Sequence, residues 1–529
     1  MKRSIFLSIA LFVSVYLFGQ GEIDAYRISK TDLSGTARGQ AMGGAFGALG
    51  GDVTGVAINP AGIGIYRSSE ILFNVGLRFN QTKALFNGTE ETKGNTTFTC
   101  DNFGYVGTFP LETKSGDYSL NFGFNYNRLM NFNRKYQVGG TRMGSSLTDY
   151  IADITQLQGG VGVPHTWWDQ NPVLANQFSA VDGPQWISIL GWNTWLINPI
   201  DKTNSGYQSI LEPGETVDPS LTVQESGSVG AYDFTLGANL NNKVYVGGTI
   251  TYTDISYNAS IFYNEGFEQG GGLGLSNWYN TQGSGVQLKV GVIGRPTDAL
   301  RLGVSYQSPT WYNLTDFYQG TLTPNGILDN NNNLAQPVST PDRASHRYNF
   351  RTPDIWTFSA ACVLGQAAVI SVDYEYKDYG RMRFSRQFIN DYDFSNENQW
   401  IQDDFKGAST IRVGGEYRFS PQFSGRLGTA WTQHPFESAF KNGEVQVMTP
   451  GTIPSYTLDG NTLYLTGGVG FRFTPQFCMD LALVYRTQED DLYFFSPTFN
   501  GDGSRFVDST PAKLRNNSFK TLLTLGYRF

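Results

Sequence analysis

Fourteen runs of alternating apolar and polar residues, joined by connections that alternate between short and long, constrain this chain more than any other feature. The runs are Ser69–Lys83, Thr97–Phe109, Asp117–Phe132, Val229–Leu240, Lys243–Tyr263, Gly285–Arg295 and Ala299–Gln319 in the first part. Pro353–Leu364, Ala367–Arg386, Gly407–Phe419, Gln422–Gln433, Asn461–Phe473, Gln476–Phe495 and Asn517–Phe529 follow. A period of two puts one face of a strand in an apolar medium and the other in a polar one. Ile71, Phe73, Val75, Leu77 and Phe79 share a face of the first run, with Asn74, Gly76, Arg78 and Asn80 opposite. The short connections are Leu111–Gly116, Asn241-Asn242, Pro296–Asp298, Gly365-Gln366, Ser420-Pro421 and Thr474-Pro475. Arg134–Ser228, Thr321–Thr352, Ile389–Lys406, His434–Gly460 and Ser496–Asn516 are long. Tight turns at one rim and long loops at the other fit an antiparallel transmembrane β-barrel.

The last run ends the chain on Phe529, with Phe519, Leu523, Leu525 and Tyr527 on the same face. Such an ending resembles the assembly signal read by the outer-membrane barrel assembly machinery. Tyr417, Phe419, Phe471, Phe473, Tyr527 and Phe529 fall near the short-turn rim, where an aromatic girdle belongs. Lys2 and Arg3 before the apolar run Ile5–Phe18 read as a signal peptide, residues 1–20. No later stretch approaches the ~18 consecutive apolar residues of a spanning helix. A net charge of −8 and the absence of a basic tract argue against nucleic acid as a partner.

Residues 21–67 contrast with everything after them. Ser34–Arg67, crowded with Gly and Ala, shows no alternation and reads as a plug of short helices and tight turns. Pro60 cannot donate a backbone hydrogen bond and pushes Asn59 out of the helical region, so Asn59-Pro60-Ala61 is a fixed bend; the Asn59 amide can replace bonds the bend removes. Gly50-Gly51-Asp52 has neither a preceding strand nor a following Lys, so it is not a nucleotide loop.

Plug and barrel together resemble the FadL/TodX family of outer-membrane channels for hydrophobic compounds. Gly35–Gly39, Gly43–Asp52 and Asn59-Pro60-Ala61 carry the likeness, and TDLSGTARGQAMGGAFGALGGD also resembles Bacteroidetes members labelled hemin receptors. The resemblance implies a fourteen-stranded barrel, residues 68–529, around a helical or irregular hatch, residues 21–67. It implies passive uptake of long-chain fatty acids or similar molecules, with lateral exit into outer-membrane lipid at a kink of the third strand. Hatch and gate residues would be Phe46, Gly50, Gly51, Asp52, Asn59, Pro60 and Ala61. In the third run Arg128 comes next in the lipid-facing phase after Tyr126, so the strand bulges or has left the bilayer by then; the kink is placed between Gly123 and Met130. Among inward charges, Arg412 and Arg426 are candidates for a fatty-acid carboxylate, although paired charges around a solvated lumen are the simpler reading. The loop at 134–228 holds Trp167, Trp168, Trp186, Trp192 and Trp195, read as a packed core over a second reading as a capture surface.

No metal site, cofactor or enzymatic constellation is expected. Cys100, Cys362 and Cys478 match no ligand spacing and read as unpaired, and His165, His346 and His434 form no motif. The alternatives to transport are a docking barrel whose extracellular loops bind a partner protein, and a heme receptor.

Overall fold

The computed structural model describes residues 21–111, 117–157, 178, 185–200, 206–341, 344–365, 367–388, 393–500 and 504–529. Residues 1–20, read above as a signal peptide, Gln366, His165, Trp167 and Trp168 lie outside them.

The chain is a closed fourteen-stranded antiparallel β-barrel with an N-terminal helical segment inside it. The wall begins with β1 Glu70–Phe86, β2 Thr89–Leu111 and β3 Tyr118–Asn131. It continues through β4 Val217–Leu240, β5 Val244–Phe267 and β6 Gly272–Gly294. β7 is Leu300–Gln307 plus Trp311–Asn325, and β8 is Ala344–Arg351 plus Ile355–Leu364. β9 Ala368–Asp378, β10 Gly407–Arg418, β11 Phe423–Thr432, β12 Thr462–Arg472, β13 Phe477–Tyr493 and β14 Ala512–Arg528 complete it. β14 pairs with β1 from Glu70↔Arg528 to Leu85↔Lys513, which closes the cylinder and leaves no sheet edge along that seam.

Alternation accounts for the wall's two faces. On β6, Val286, Leu288, Val290 and Val292 are exposed while Gln287 and Lys289 between them are buried. The apolar belt stops near Ser284, and β4, β5 and β6 run on past it for many more residues. The extensions of β4 and β6 escape sequence reading because lipid no longer imposes a pattern there, whereas that of β5 is read as far as Tyr263. β4 starts at Val217, twelve positions before the expected Val229, and β2 starts at Thr89 with a polar stretch exposed on both faces. Arg134–Gly139 also belongs to the wall, pairing with Ser220–Glu225, so the segment expected as one long loop is partly barrel.

Two strands are broken side by side. Pro309 and Pro353 each lack a ladder donor, and β7 and β8 are interrupted at those points. The breaks are stitched together by the Thr310 amide donating to Thr352 Oγ1 at 2.8 Å and the Thr352 amide donating to the Thr310 carbonyl at 3.2 Å. At the long-loop rim, α4 Leu147–Leu157 and α5 Trp186–Asn193 pack over the barrel mouth. Trp186 is buried, its ring 5.4 Å from Phe178 and 5.2 Å from Tyr318, as a packed lid requires.

Candidate functional site

Within the barrel the hatch runs from the long-loop rim to the short-turn rim. α1 Glu22–Ser29 sits under the long loops, followed by an extended linker Lys30–Gly35, α2 Ala37–Ala41, α3 Val53–Ile58 and a 3-10 helix Pro60–Ile65. Short helices leave most of their terminal amides and carbonyls without partners in their own turns. Here the wall and the hatch itself supply them. The Phe46 and Gly47 amides donate to Asp373 Oδ2 at 3.0 and 2.9 Å, and Arg301 donates to the Leu49 carbonyl at 2.6 Å. Ser305 donates to the Ile58 carbonyl at 2.9 Å, Asn121 to the Ile63 carbonyl at 2.8 Å, and Thr466 to the Ala41 carbonyl at 2.9 Å. Arg301 and Asp373, inward charges read from sequence as paired around a solvated lumen, thus face a packed hatch. The correction is physical: periodicity tells which way a side chain points, not what it meets.

Asp52 caps α3, accepting from the Thr54 amide at 2.9 Å and from Thr36 Oγ1 at 2.9 Å. Asn59 accepts from the Ala61 amide at 3.1 Å and donates to the Gly47 carbonyl at 2.9 Å, so one side chain holds the bend at Pro60 against the preceding turn. Gly50 and Gly51 take φ of +58° and +67°, and a Cβ on Gly50 would lie 2.8 Å from the Gly62 Cα.

Close approach depends on the wall as well. Inward glycines on nine strands, Gly104, Gly123, Gly237, Gly247, Gly291, Gly303, Gly414, Gly428 and Gly468, each leave room for a hatch atom within 3 Å of where a Cβ would stand. Gly428 would meet the Gly43 amide at 2.3 Å, and Gly247 the Pro60 carbonyl at 2.3 Å. This ring was not found from sequence. A glycine in a strand signals a close neighbour only if one knows that nine of them stand around one object.

Charge completes the seat. Glu416 accepts from hatch Arg38 Nε at 2.9 Å and from Arg426 Nε at 2.6 Å, while Arg426 Nη1 reaches Asp480 at 2.6 Å. Arg426 is therefore engaged twice by the wall. Arg412 Nη2 donates to Glu375 at 2.8 Å, and its buried Nη1 has no acceptor among the described residues.

The space left over is divided. An upper cavity of about 130 Å³ lies between α1, the linker and strands β1, β3, β5 and β13. Middle cavities of about 120 and 40 Å³ flank the linker, and a vestibule of about 370 Å³ opens under the hatch toward the Ser420-Pro421-Gln422 turn. The three inner spaces fall below the roughly 300–1,000 Å³ of pockets for drug-sized ligands. Among the described residues, none of these three inner spaces holds a ligand of that size with the hatch seated.

The wall is irregular at the third strand. β2 and β3 pair only from Leu111↔Tyr118 to Asn102↔Asn127. Beyond that, β2 bulges opposite Val75, and β3 shifts register against β4 between Arg128 and Met130. Gly123 lies below this point, with Ile63 Cδ1 2.8 Å from where its Cβ would be. Arg128 Nη1 reaches Asp101 at 3.0 Å across the divergence, and Lys520 pairs with the same carboxylate at 2.7 Å. Thr97, Thr99, Asn102 and Asn127 carry buried oxygens there with no partner among the described residues. Phe98 stands on the lipid side, 71% exposed.

α1 docks at the rim through Tyr26, whose ring lies 5.6 Å from Tyr379, 6.0 Å from Phe405 and 5.1 Å from Phe436. Its first turn meets α6, Ser395–Asp404, with acid against acid. Burial pushes the Glu22 carboxyl up to about 8, with Asp404 adding to it. Burial and then Asp403 push Asp404 up to about 7. Both groups bind protons more tightly docked than free, so docking weakens as pH rises from about 4 through about 8. Amide exchange in 22–29 and 395–404, corrected for intrinsic rates, should be faster near pH 8.5 than near pH 5.5, and Asp404→Asn should reduce the difference.

Comparison with known proteins agrees with this architecture. Residues 236–493 match the sequence profile of the family described as outer membrane protein transport protein (OMPP1/FadL/TodX). A Pseudomonas aeruginosa FadL homologue of known structure shares the fold at TM-score 0.51 and 12% identity, over 95% of this chain and 100% of that one. The Ralstonia pickettii toluene transporter TbuX aligns at TM-score 0.47 and 14% identity, over 95% and 100% of the two chains. The Pseudomonas putida toluene transporter TodX aligns at 0.46 and 12%, over 94% and 99%. No curated protein sequence matches the chain.

Proposed function

The chain belongs to the OMPP1/FadL/TodX family of outer-membrane transport proteins, and from that premise we propose that it is a channel for passive uptake of hydrophobic small molecules such as long-chain fatty acids. The observation that carries the reading is a lumen filled by a hatch held through short helices, hydrogen bonds and glycine contacts, a seat that can be vacated without breaking the wall. A strand barrel keeps its ladder when its contents move, because the backbone pairs strand to strand.

In this mechanism a ligand enters at the long-loop, extracellular rim and reaches the upper cavity beside α1. Region Phe46–Ala61 with the linker before it shifts, and the separate cavities become one path. The Arg412 Nη1 beside the middle cavity offers a donor to a polar head. Exit is lateral, at the divergence of β2 from β3, where pairing has already ended and the Asp101–Arg128 ion pair bridges the strands. A polar head crosses beside that pair while its tail meets lipid near Phe98. The hatch and gate roles proposed for Phe46, Gly50, Gly51, Asp52, Asn59, Pro60 and Ala61 are supported by their places in the seat.

Mass spectrometry of small molecules extracted from protein purified out of its own outer membrane tests the reading. Single-chain lipids at near one per protein are expected. Porphyrin would replace it with a heme receptor, and an empty barrel bound to one abundant protein would replace it with docking.

A further inference from the structure

Asp32 stands where the hatch linker separates the upper cavity from both middle ones, lining all three. Its Oδ2 takes Arg78 Nη1 at 3.0 Å, its Oδ1 accepts from the Tyr464 hydroxyl, and Arg486 Nε lies 3.8 Å away. Its own amide donates at 2.8 Å to the Leu129 carbonyl, inside the β3 register shift. One residue thus ties the linker to β1, β12, β13 and the irregular strand.

One of the cations it holds is not saturated. Arg78 is 9% exposed and its Nε has no acceptor among the described residues. Arg78 and Arg486 both line the upper cavity, whose other walls include Met130, Phe132, Val223, Ile261 and Ile453. Cationic and apolar side chains share the lining of this cavity, together with the carboxylates of Glu225, Asp459 and Asp490; that mixture suits an amphiphile, with the anion position beside Arg78 filled by the protein's own carboxylate.

Resting on the transport reading, we propose that Asp32 is a built-in stand-in for a ligand's anionic head, and that an anionic amphiphile in the upper cavity releases the hatch linker by taking over Arg78 and Arg486. The exchange is one anion for another, so the cations never stand buried and unpaired, a state that is strongly disfavoured. A neutral amphiphile of the same length fills the apolar wall but gives Arg78 nothing in return for Asp32. Release is therefore selective for charge, and the freed linker no longer holds the Leu129 carbonyl.

The test uses full-length protein in non-ionic detergent, with laurate and 1-dodecanol as probes and calorimetric titration as readout. Retained heat-modifiable gel migration shows that each variant is folded. Wild type should prefer laurate. Asp32→Asn should bind laurate about tenfold more tightly, since no internal carboxylate competes, with dodecanol unchanged. Arg78→Gln combined with Arg486→Gln should erase the preference. Thr31→Cys, with the native cysteines replaced by Ser, should react faster with a maleimide in laurate than in dodecanol. Equal shifts for both probes in Asp32→Asn, or no shift for laurate, would overturn the latch while leaving transport intact. Binding of neither probe by wild type would overturn the transport reading itself.

Discussion

Uptake should stop when the hatch is locked to the wall and resume when the lock is reduced. An ideal Cβ on Gly47 lies 3.1 Å from Ser359 Cβ on β8, close enough that a small relaxation brings Gly47→Cys and Ser359→Cys to the ~3.5–4.5 Å a disulfide spans. Gly47 sits at the centre of the seat: its amide is held by Asp373 and its carbonyl by Asn59. Fixing it prevents Phe46–Ala61 from shifting, and the inner cavities stay at about 130 Å³ or less. With Cys100, Cys362 and Cys478 replaced by Ser, the oxidised pair should take up a labelled long-chain carboxylate at least about tenfold more slowly than the reduced pair. Uptake that survives oxidation would mean that ligands bypass the hatch.

The second large effect is the reverse. Filling two glycine sockets should expel the hatch and leave a conducting barrel. A Cβ on Gly414 would lie 2.3 Å from the Met42 carbonyl oxygen, and one on Gly428 2.3 Å from the Gly43 amide. Both obstacles are backbone, which cannot rotate away. Overpacking costs about 1–3 kcal/mol per site in ordinary cores, and more against backbone. Gly414→Leu with Gly428→Leu therefore removes the hatch from its seat while the ladders of β10 and β11 remain paired. Planar-bilayer recordings should show steady ion conductance in the variant and little in wild type. Gly294→Leu is the control, because nothing lies within 4 Å of its Cβ position. A silent double variant that still folds would show that the hatch has room the structure denies it.

The wall was legible because lipid writes a period-two pattern on every strand that crosses it, and because the short turns carry Asn, Pro and Gly at fixed places. That is why Asn461–Phe473 and Gln476–Phe495 lie so close to β12 and β13, whereas the polar upper parts of β2 and β4 escaped. The hatch was legible as a break in the pattern, and Pro60 alone fixed the kind of bend it contains. What Lys289, Arg301 and Asp373 do was not legible. A charge on an inward face looks the same whether it meets water or the backbone of a hatch. Asp32 stands in the TDLSGTARGQAMGGAFGALGGD stretch, but a lone carboxylate there gave no sign of what it pairs with. Its partners come from β1, β12 and β13, more than forty residues away in every case.

The most direct measurement of the central claim is uptake of a labelled long-chain carboxylate by cells lacking other such channels, with and without this chain in the outer membrane. Uptake that rises with the chain and saturates, in cells whose permeability to small hydrophilic solutes is unchanged, is the predicted result. No rise, or an equal rise for hydrophilic solutes, would contradict a hatch-gated channel for hydrophobic molecules.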